Sequence, residues 1–205
     1  WDLDNPAFTA QCAVKDIYIP KSLTQQLDRL VQFCYSNQSL SLILGDSGIG
    51  KTTILRWLTS QLPFDTHEIL TISLLKSESE NDWLIPRIAR FMGSGDSTNW
   101  HESINLVTTK FDELKNENRK LIVIIDEAHL LTTDLTLSEL NGLLNLQSIS
   151  GDLLSFILIG TPLLQNIIES NPKLSLNLAN KTTLHQYTPE DAEEYLNSKI
   201  KRANL

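Results

Sequence analysis

Three apolar, β-rich stretches stand out along the chain: Leu40–Leu44, interrupted only by Ser41, residues 121–125 and residues 156–159, ending at Gly45, Asp126 and Gly160. Runs of this length without polar alternation fit strands covered on both faces, as in a parallel sheet. Residues 68–74 and 182–187 carry weaker strand patterns. Helical patterns lie between all five, and that alternation predicts an α/β fold with crossover helices.

The helices follow from periodicity and punctuation. One spans 50–61 and is closed off by Pro63, and another spans 81–91, where Pro86 is tolerable only in the first turn or at a kink. Ile104, Val107, Phe111 and Leu114 recur at three- and four-residue steps and give one apolar face to a helix over 100–118. A leucine-rich helix over 135–146 follows the capping residues Thr132, Thr133 and Asp134. Pro162 opens a short helix to Glu169. Thr188-Pro189-Glu190-Asp191 combines a cap, a proline at the first helical position and acids in the first turn, which starts a last helix running to about residue 203. Residues 93–97 and 116–120 read as loops, and no internal repeat or low-complexity tract is visible.

Composition narrows the class. Of 205 residues, 41% are hydrophobic and 20% charged, enough apolar material for a core and too little charge for a disordered chain. No apolar run nears the roughly 18 residues needed to cross a bilayer. Cys12 and Cys34 have no CxxC spacing or histidine companions, which argues against a disulfide framework or zinc site and makes a reducing, cytoplasmic setting the expectation. The chain begins at Trp1 without an initiator Met or a signal-peptide pattern, so it reads as an excerpt of a longer protein. Net charge is −8, and all of the excess acidity lies after residue 60. A balance of that sign lacks the broad basic footprint that phosphate neutralisation needs, so DNA is a possible but disfavoured partner.

The segment Gly45-Asp46-Ser47-Gly48-Ile49-Gly50-Lys51-Thr52 satisfies G-x-x-x-x-G-K-[ST]. Its context fits, because a buried strand precedes it and a helix containing Thr53 follows. Backbone N–H groups of such a loop and the helix N-terminus form an anion site for phosphates. Lys51 would reach the β and γ phosphates, and the Thr52 hydroxyl would join a Mg²⁺ shell. The second signal is the strand 121–125 ending in Asp126-Glu127-Ala128-His129. Asp126 at the sheet edge would hold Mg²⁺ through water, and Glu127 would polarise the attacking water. Thr161, after the strand 156–159, is placed to sense the γ-phosphate or hold the lytic water, and a plain turn residue ahead of Pro162 is the alternative. His129 is left unassigned.

The motif at 45–52, the acids Asp126 and Glu127, the polar strand tip Thr161 and the helix starting near Pro189 together resemble an AAA+ P-loop ATPase, from about residue 15 to the end. Tyr18-Ile19-Pro20 followed by Leu27 and Leu30, then ILIGTPLLQNIIE and YTPEDAEEYLNSKI, look most like the ExeA/GspA secretion ATPases. DamX-type ATPase domains and the transposition regulator TnsC are of the same general look. The resemblance implies an AAA+ large domain over 1–187 with a five-stranded parallel sheet in the order 5-1-4-3-2, and the first helix of a helical lid over 188–205. It also implies ATP bound with Mg²⁺ at a subunit boundary, and oligomeric assembly within a larger complex. Such proteins usually present an arginine to the neighbour's γ-phosphate, yet no arginine occurs between Arg119 and Arg202, and 171–181 offers only Lys173 and Lys181. A lysine lacks the planar fork of donors, so slow ATP hydrolysis in isolation is expected. A nucleotide-gated binding module with little hydrolysis, a TnsC-like DNA regulator and a STAND-type signalling switch are the alternatives. A DEAH-box helicase shares the letters at 126–129 but needs a second RecA-like domain for which the chain is too short.

Overall fold

The computed structural model describes residues 13–74, 84–93, 100–150 and 153–202, without side-chain detail at Trp100, 146–150 and Arg202. A 3₁₀ turn at Val14–Asp16 leads to α1 (Lys21–Tyr35), β1 (Leu40–Leu44), α2 (Lys51–Ser60) and β2 (His67–Ser73). Then come α3 (Leu84–Phe91), α4 (Trp100–Asn116), β3 (Lys120–Asp126), a 3₁₀ turn at Ala128–Leu130 and α5 (Asp134–Ser150). The chain continues through β4 (Leu154–Gly160), α6 (Leu163–Glu169), α7 (Pro172–Asn177), β5 (Leu178–Thr183) and α8 (Pro189–Arg202).

The five strands form one parallel sheet in the order β2-β3-β4-β1-β5, which is the expected order 5-1-4-3-2 read from the other edge. Successive side chains of a strand point to opposite faces, and the central strands bury both. Leu40, Leu42, Leu44, Val123, Phe156 and Leu158 pack with α3 to α7, whereas Ile43, Ile122, Ile124, Ile157 and Ile159 pack with α1 and α2. This two-sided cover is why the central strands are apolar at almost every position, Ser41 and Ser155 being the buried exceptions.

Local chemistry sets the helix boundaries. Pro86 falls in the first turn of α3, where its missing N–H costs nothing, while the Leu84 and Ile85 N–H groups donate to the Glu139 carboxylate of α5 at 3.4 and 2.9 Å. Thr188 and Asp191 close a reciprocal box at the start of α8. The Thr188 N–H donates to Asp191 Oδ2 at 3.2 Å, and the Asp191 N–H to Thr188 Oγ1 at 3.1 Å.

The last strand lies earlier than the pattern at 182–187 indicates. β5 pairs with β1 from Leu178 to Thr183, with one register shift between Leu40 and Ser41, and the final bond runs from the Leu184 N–H to the Leu44 carbonyl at 2.8 Å. Its partner has five residues, so pairing ends where β1 ends, and the β-like residues beyond leave the sheet. The edge position also explains the polar sequence, since Leu178, Asn180 and Lys181 face solvent in part or fully. Helix α7 was not anticipated. Residues 81–83, Trp83, Cys12 and most of the loop expected at 93–97 lie outside the described residues.

Candidate functional site

The loop after β1 is shaped by its glycines. A side chain at Gly45 would meet Ile49 Cγ2 at 2.6 Å and Leu184 Cβ at 3.2 Å, so only glycine lets the loop turn against the end of β5. Gly48 and Gly50 have φ of 77° and 103°, the left-handed region that other residues enter at a cost. Gly50 caps α2 without a side chain, leaving the first N–H groups of that helix uncapped at the loop. Asp46, Ser47 and Thr52 are exposed around this opening, and Ile49 is half-buried. Lys51 is only 7% exposed. Its ammonium folds back over the loop, donating to the Gly45 and Asp46 carbonyls at 3.0 Å each. A buried cation thus stands among backbone dipoles beside the uncapped helix end, which makes the loop an electropositive cradle.

Parallel pairing brings the other predicted residues to the same sheet end. Leu44 is in register with Gly160, and the Gly45 N–H donates to the Gly160 carbonyl at 3.1 Å, so Thr161 follows directly beside the loop. Thr161 Oγ1 is buried with no hydrogen-bond partner. Asp126 ends β3, which neighbours β4, and its Oδ1 accepts the Glu127 N–H at 2.9 Å. Glu127 has φ 56° and ψ 32°, an unusual conformation for a glutamate, and is half-exposed. His129, which the sequence left unassigned, places Nδ1 3.3 Å from Glu127 Oε2. Thr52 and Asp126 offer a hydroxyl and a carboxylate, oxygen donors of the kind a Mg²⁺ ion combines with substrate phosphates rather than with an all-protein cage. Among the described residues no group of three or more His, Cys, Asp or Glu could hold a metal by itself.

A cavity of about 430 Å³ opens beside the loop, walled by Gly50 and Thr53 from the loop and α2, by the 183–188 segment, by the lead-in at Ile17 and Tyr18, and by α8. The volume suits a small organic ligand. Three tyrosines close it: the rings of Tyr18, Tyr187 and Tyr195 stand edge-on or tilted with centroids 5.8 to 6.0 Å apart. Tyr18 Oη donates to Glu194 Oε2 at 3.0 Å, and Lys21 Nζ to Glu194 Oε1 at 2.6 Å. Desolvation first and then the Glu194 carboxylate push the Tyr18 hydroxyl up to about 12, and burial raises Tyr187. The Lys21 and Tyr18 donors hold the Glu194 carboxyl below its ordinary value. Lys199, 7% exposed, lies 5.6 Å from the Tyr195 ring centroid and donates to the Asp16 carbonyl at 3.2 Å. The sequence singles out Tyr18-Ile19-Pro20 and the segment from Tyr187 only as marks of a family resemblance; that they meet in one wall depends on the fold, because the parts come from residues 17–26 and 183–199. No described helix is long and apolar enough to cross a membrane.

The family model for an AAA domain matches residues 34–168. General secretion pathway protein A of Aeromonas hydrophila is 28% identical over 98% of this chain, which spans about 37% of that protein's length. The ORC2 protein of Aeropyrum pernix, in its ADPNP-ADP complexes, superposes with a TM-score of 0.68 at 17% identity, covering 90% of this chain and 53% of that one. The Walker-type ATPase of Pyrococcus abyssi gives 0.66 at 19% identity, covering 98% of this chain and 63% of that one.

Proposed function

The chain belongs to the AAA domain family, and on that premise we propose that it is an ATP-binding, slowly hydrolysing switch that assembles through its nucleotide site and drives or regulates a larger complex. The observation that carries this reading is the glycine loop itself: an uncapped helix end and a buried lysine on one loop, with a ligand-sized cavity beside Gly50 and Thr53. Phosphates would sit on the backbone N–H groups of 45–52, with Lys51 moving from the loop carbonyls to the β and γ phosphates. The base and ribose would enter the cavity under Tyr18 and Tyr187. Thr52 and Asp126 would hold Mg²⁺, which supplies charge neutralisation on the β and γ phosphates. Glu127 would polarise the lytic water, and the unpaired Thr161 hydroxyl would donate to that water or to the γ-phosphate.

Likeness to a secretion-pathway protein supports an ExeA-like setting, in a secretion or envelope machine, and the place of α8 on the cavity wall supports the reading of residues 188–205 as the first helix of a lid. The net charge of −8 opposes autonomous DNA binding. A second reading, a nucleotide-gated binding module with little hydrolysis, is favoured by the lack of any arginine between Arg119 and Arg202. ATP turnover and oligomer size, measured on one sample with and without Mg²⁺-ATP and beside Glu127→Gln, separate the two. The switch predicts nucleotide-dependent assembly with slow, Glu127-dependent turnover; assembly without any Glu127-dependent turnover selects the module.

A further inference from the structure

The His129 imidazole has no part in the reading above, yet its position is built. β4 ends in a glycine, and a side chain at Gly160 would meet the His129 backbone nitrogen at 3.1 Å. The missing side chain lets the 128–130 turn lie against the strand end. The turn is closed by the Leu130 N–H on the Glu127 carbonyl at 2.9 Å and the Leu131 N–H on the Ala128 carbonyl at 3.0 Å. It carries His129 Nδ1 to 3.3 Å from Glu127 Oε2. That nitrogen is buried, and the approach stops short of hydrogen-bond geometry, so Nδ1 has no completed bond. The Thr161 hydroxyl, next to Gly160, is a second buried polar atom without a partner. Buried polar atoms left open are uncommon and costly. These two lie on either side of the contact between Gly160 and the turn.

We propose that His129 is a positioning residue for ATP hydrolysis: in the nucleotide-loaded state Nδ1–H donates to Glu127 Oε2 and holds the carboxylate so that its other oxygen faces the lytic water. The inference rests on the reading of Glu127 as the water-polarising group. A glutamate side chain has three rotatable bonds, and the left-handed backbone at Glu127 fixes only where it starts. A donor on one oxygen removes the remaining freedom, and misplacement of such a group by about 1 Å costs roughly a hundred-fold in rate.

The test is single-turnover hydrolysis and ATP affinity in the intact protein for wild type, His129→Ala, His129→Asn, His129→Gln and Glu127→Gln. An asparagine amide nitrogen can stand where Nδ1 stands, whereas a glutamine amide reaches the Nε2 position. His129→Ala is expected to slow hydrolysis roughly ten- to hundred-fold with ATP affinity unchanged, His129→Asn to recover most of the rate, and His129→Gln to recover little. The double variant His129→Ala/Glu127→Gln should be no slower than Glu127→Gln alone, since the two act as a unit. Unchanged or faster turnover in His129→Ala overturns the proposal, the latter because it would make the contact a brake. Additive losses in the double variant, or equal failure of Asn and Gln, overturn it as well. If Glu127→Gln itself leaves turnover intact, the parent reading fails instead. A readout free of turnover is the imidazole ¹⁵N signal of His129 in the protein loaded with a non-hydrolysable ATP analogue. Glu127→Gln should move the Nδ1 resonance, and an unmoved resonance overturns the contact.

Discussion

Glu127 occupies a backbone conformation, φ 56°, that costs an ordinary L residue about 1–2 kcal/mol. The surroundings over-determine it: its N–H is taken by Asp126 Oδ1 at 2.9 Å and its carbonyl by the Leu130 N–H at 2.9 Å. Strain held at a site residue predicts a divergence between stability and activity. Glu127→Gly should raise the thermal midpoint by roughly 2–4 °C, the equivalent of about 1 kcal/mol for a chain of this size, while turnover is lost. Glu127→Gln should lose turnover at an unchanged midpoint. A thermal melt that places the glycine variant at or below wild type would show the turn to be unstrained. The loop at 45–52 was legible at this scale because its glycine spacing encodes backbone geometry directly: Gly48 and Gly50 sit at positive φ, and Gly45 where no side chain fits. The partner of His129 was not legible, since it depends on a turn closed by backbone bonds and on space left by Gly160, 31 positions away in the chain.

At the level of elements, buried runs announced themselves and edges did not. β1, β3 and β4 are apolar because both faces are covered, so their sequences carry the fold. β5 is half-exposed, and its span is set by the length of its neighbour, information that lies in β1 rather than in its own residues. The docking of α8 is equally non-local. The Lys21 to Glu194 pair that joins it to α1 is exposed, with 84% and 45% of the two side chains accessible, and such pairs contribute little in salt. The tyrosine rings contribute more, about 0.5–1.5 kcal/mol for each aromatic pair beyond the area they cover. Tyr18→Ala removes two of the three ring contacts. It should therefore accelerate amide hydrogen exchange across 189–202 by about ten-fold or more, with the central strands unaffected and Lys21→Ala nearly silent. Equal acceleration by both variants would assign the docking to charge.

For the molecule as a whole, pH acts through a group far from the site, at the opposite end of the sheet. His67 opens β2 and is 2% exposed. Its Nε2 lies 3.3 Å from the Cys34 carbonyl, its Nδ1 2.9 Å from Thr66 Oγ1, and its ring 4.7 Å from that of Tyr35, edge-on. With Nε2 donating to the Cys34 carbonyl, the neutral ring has Nδ1 as acceptor at the Thr66 hydroxyl, whose single proton is shared with the Pro63 carbonyl at 3.3 Å. Lys120, in register with His67 across the strand pair and bonded to the Ser36 carbonyl, adds a positive charge nearby. Burial first, with Lys120 beside it, outweighs the carbonyls of Cys34 and Pro63 and the Asp65 carboxylate, which pull the other way, and holds the His67 imidazole below its ordinary 6.5. The unfolded chain then binds a proton at this residue near pH 6.5, and the folded chain only at lower pH. Stability is accordingly indifferent to His67 above about pH 6.5, falls as pH drops through 6.5, and levels off once the folded form is also protonated. Neither Cys34, pushed up to about 12 chiefly by burial, nor Glu194, held low by Lys21 and Tyr18, changes charge near pH 6. The urea midpoint of the wild type should decline between pH 7 and pH 5. In His67→Gln, whose amide can still donate to the Cys34 carbonyl and cannot titrate, that decline should largely disappear. A slope of equal size in the variant would move the cause to another group.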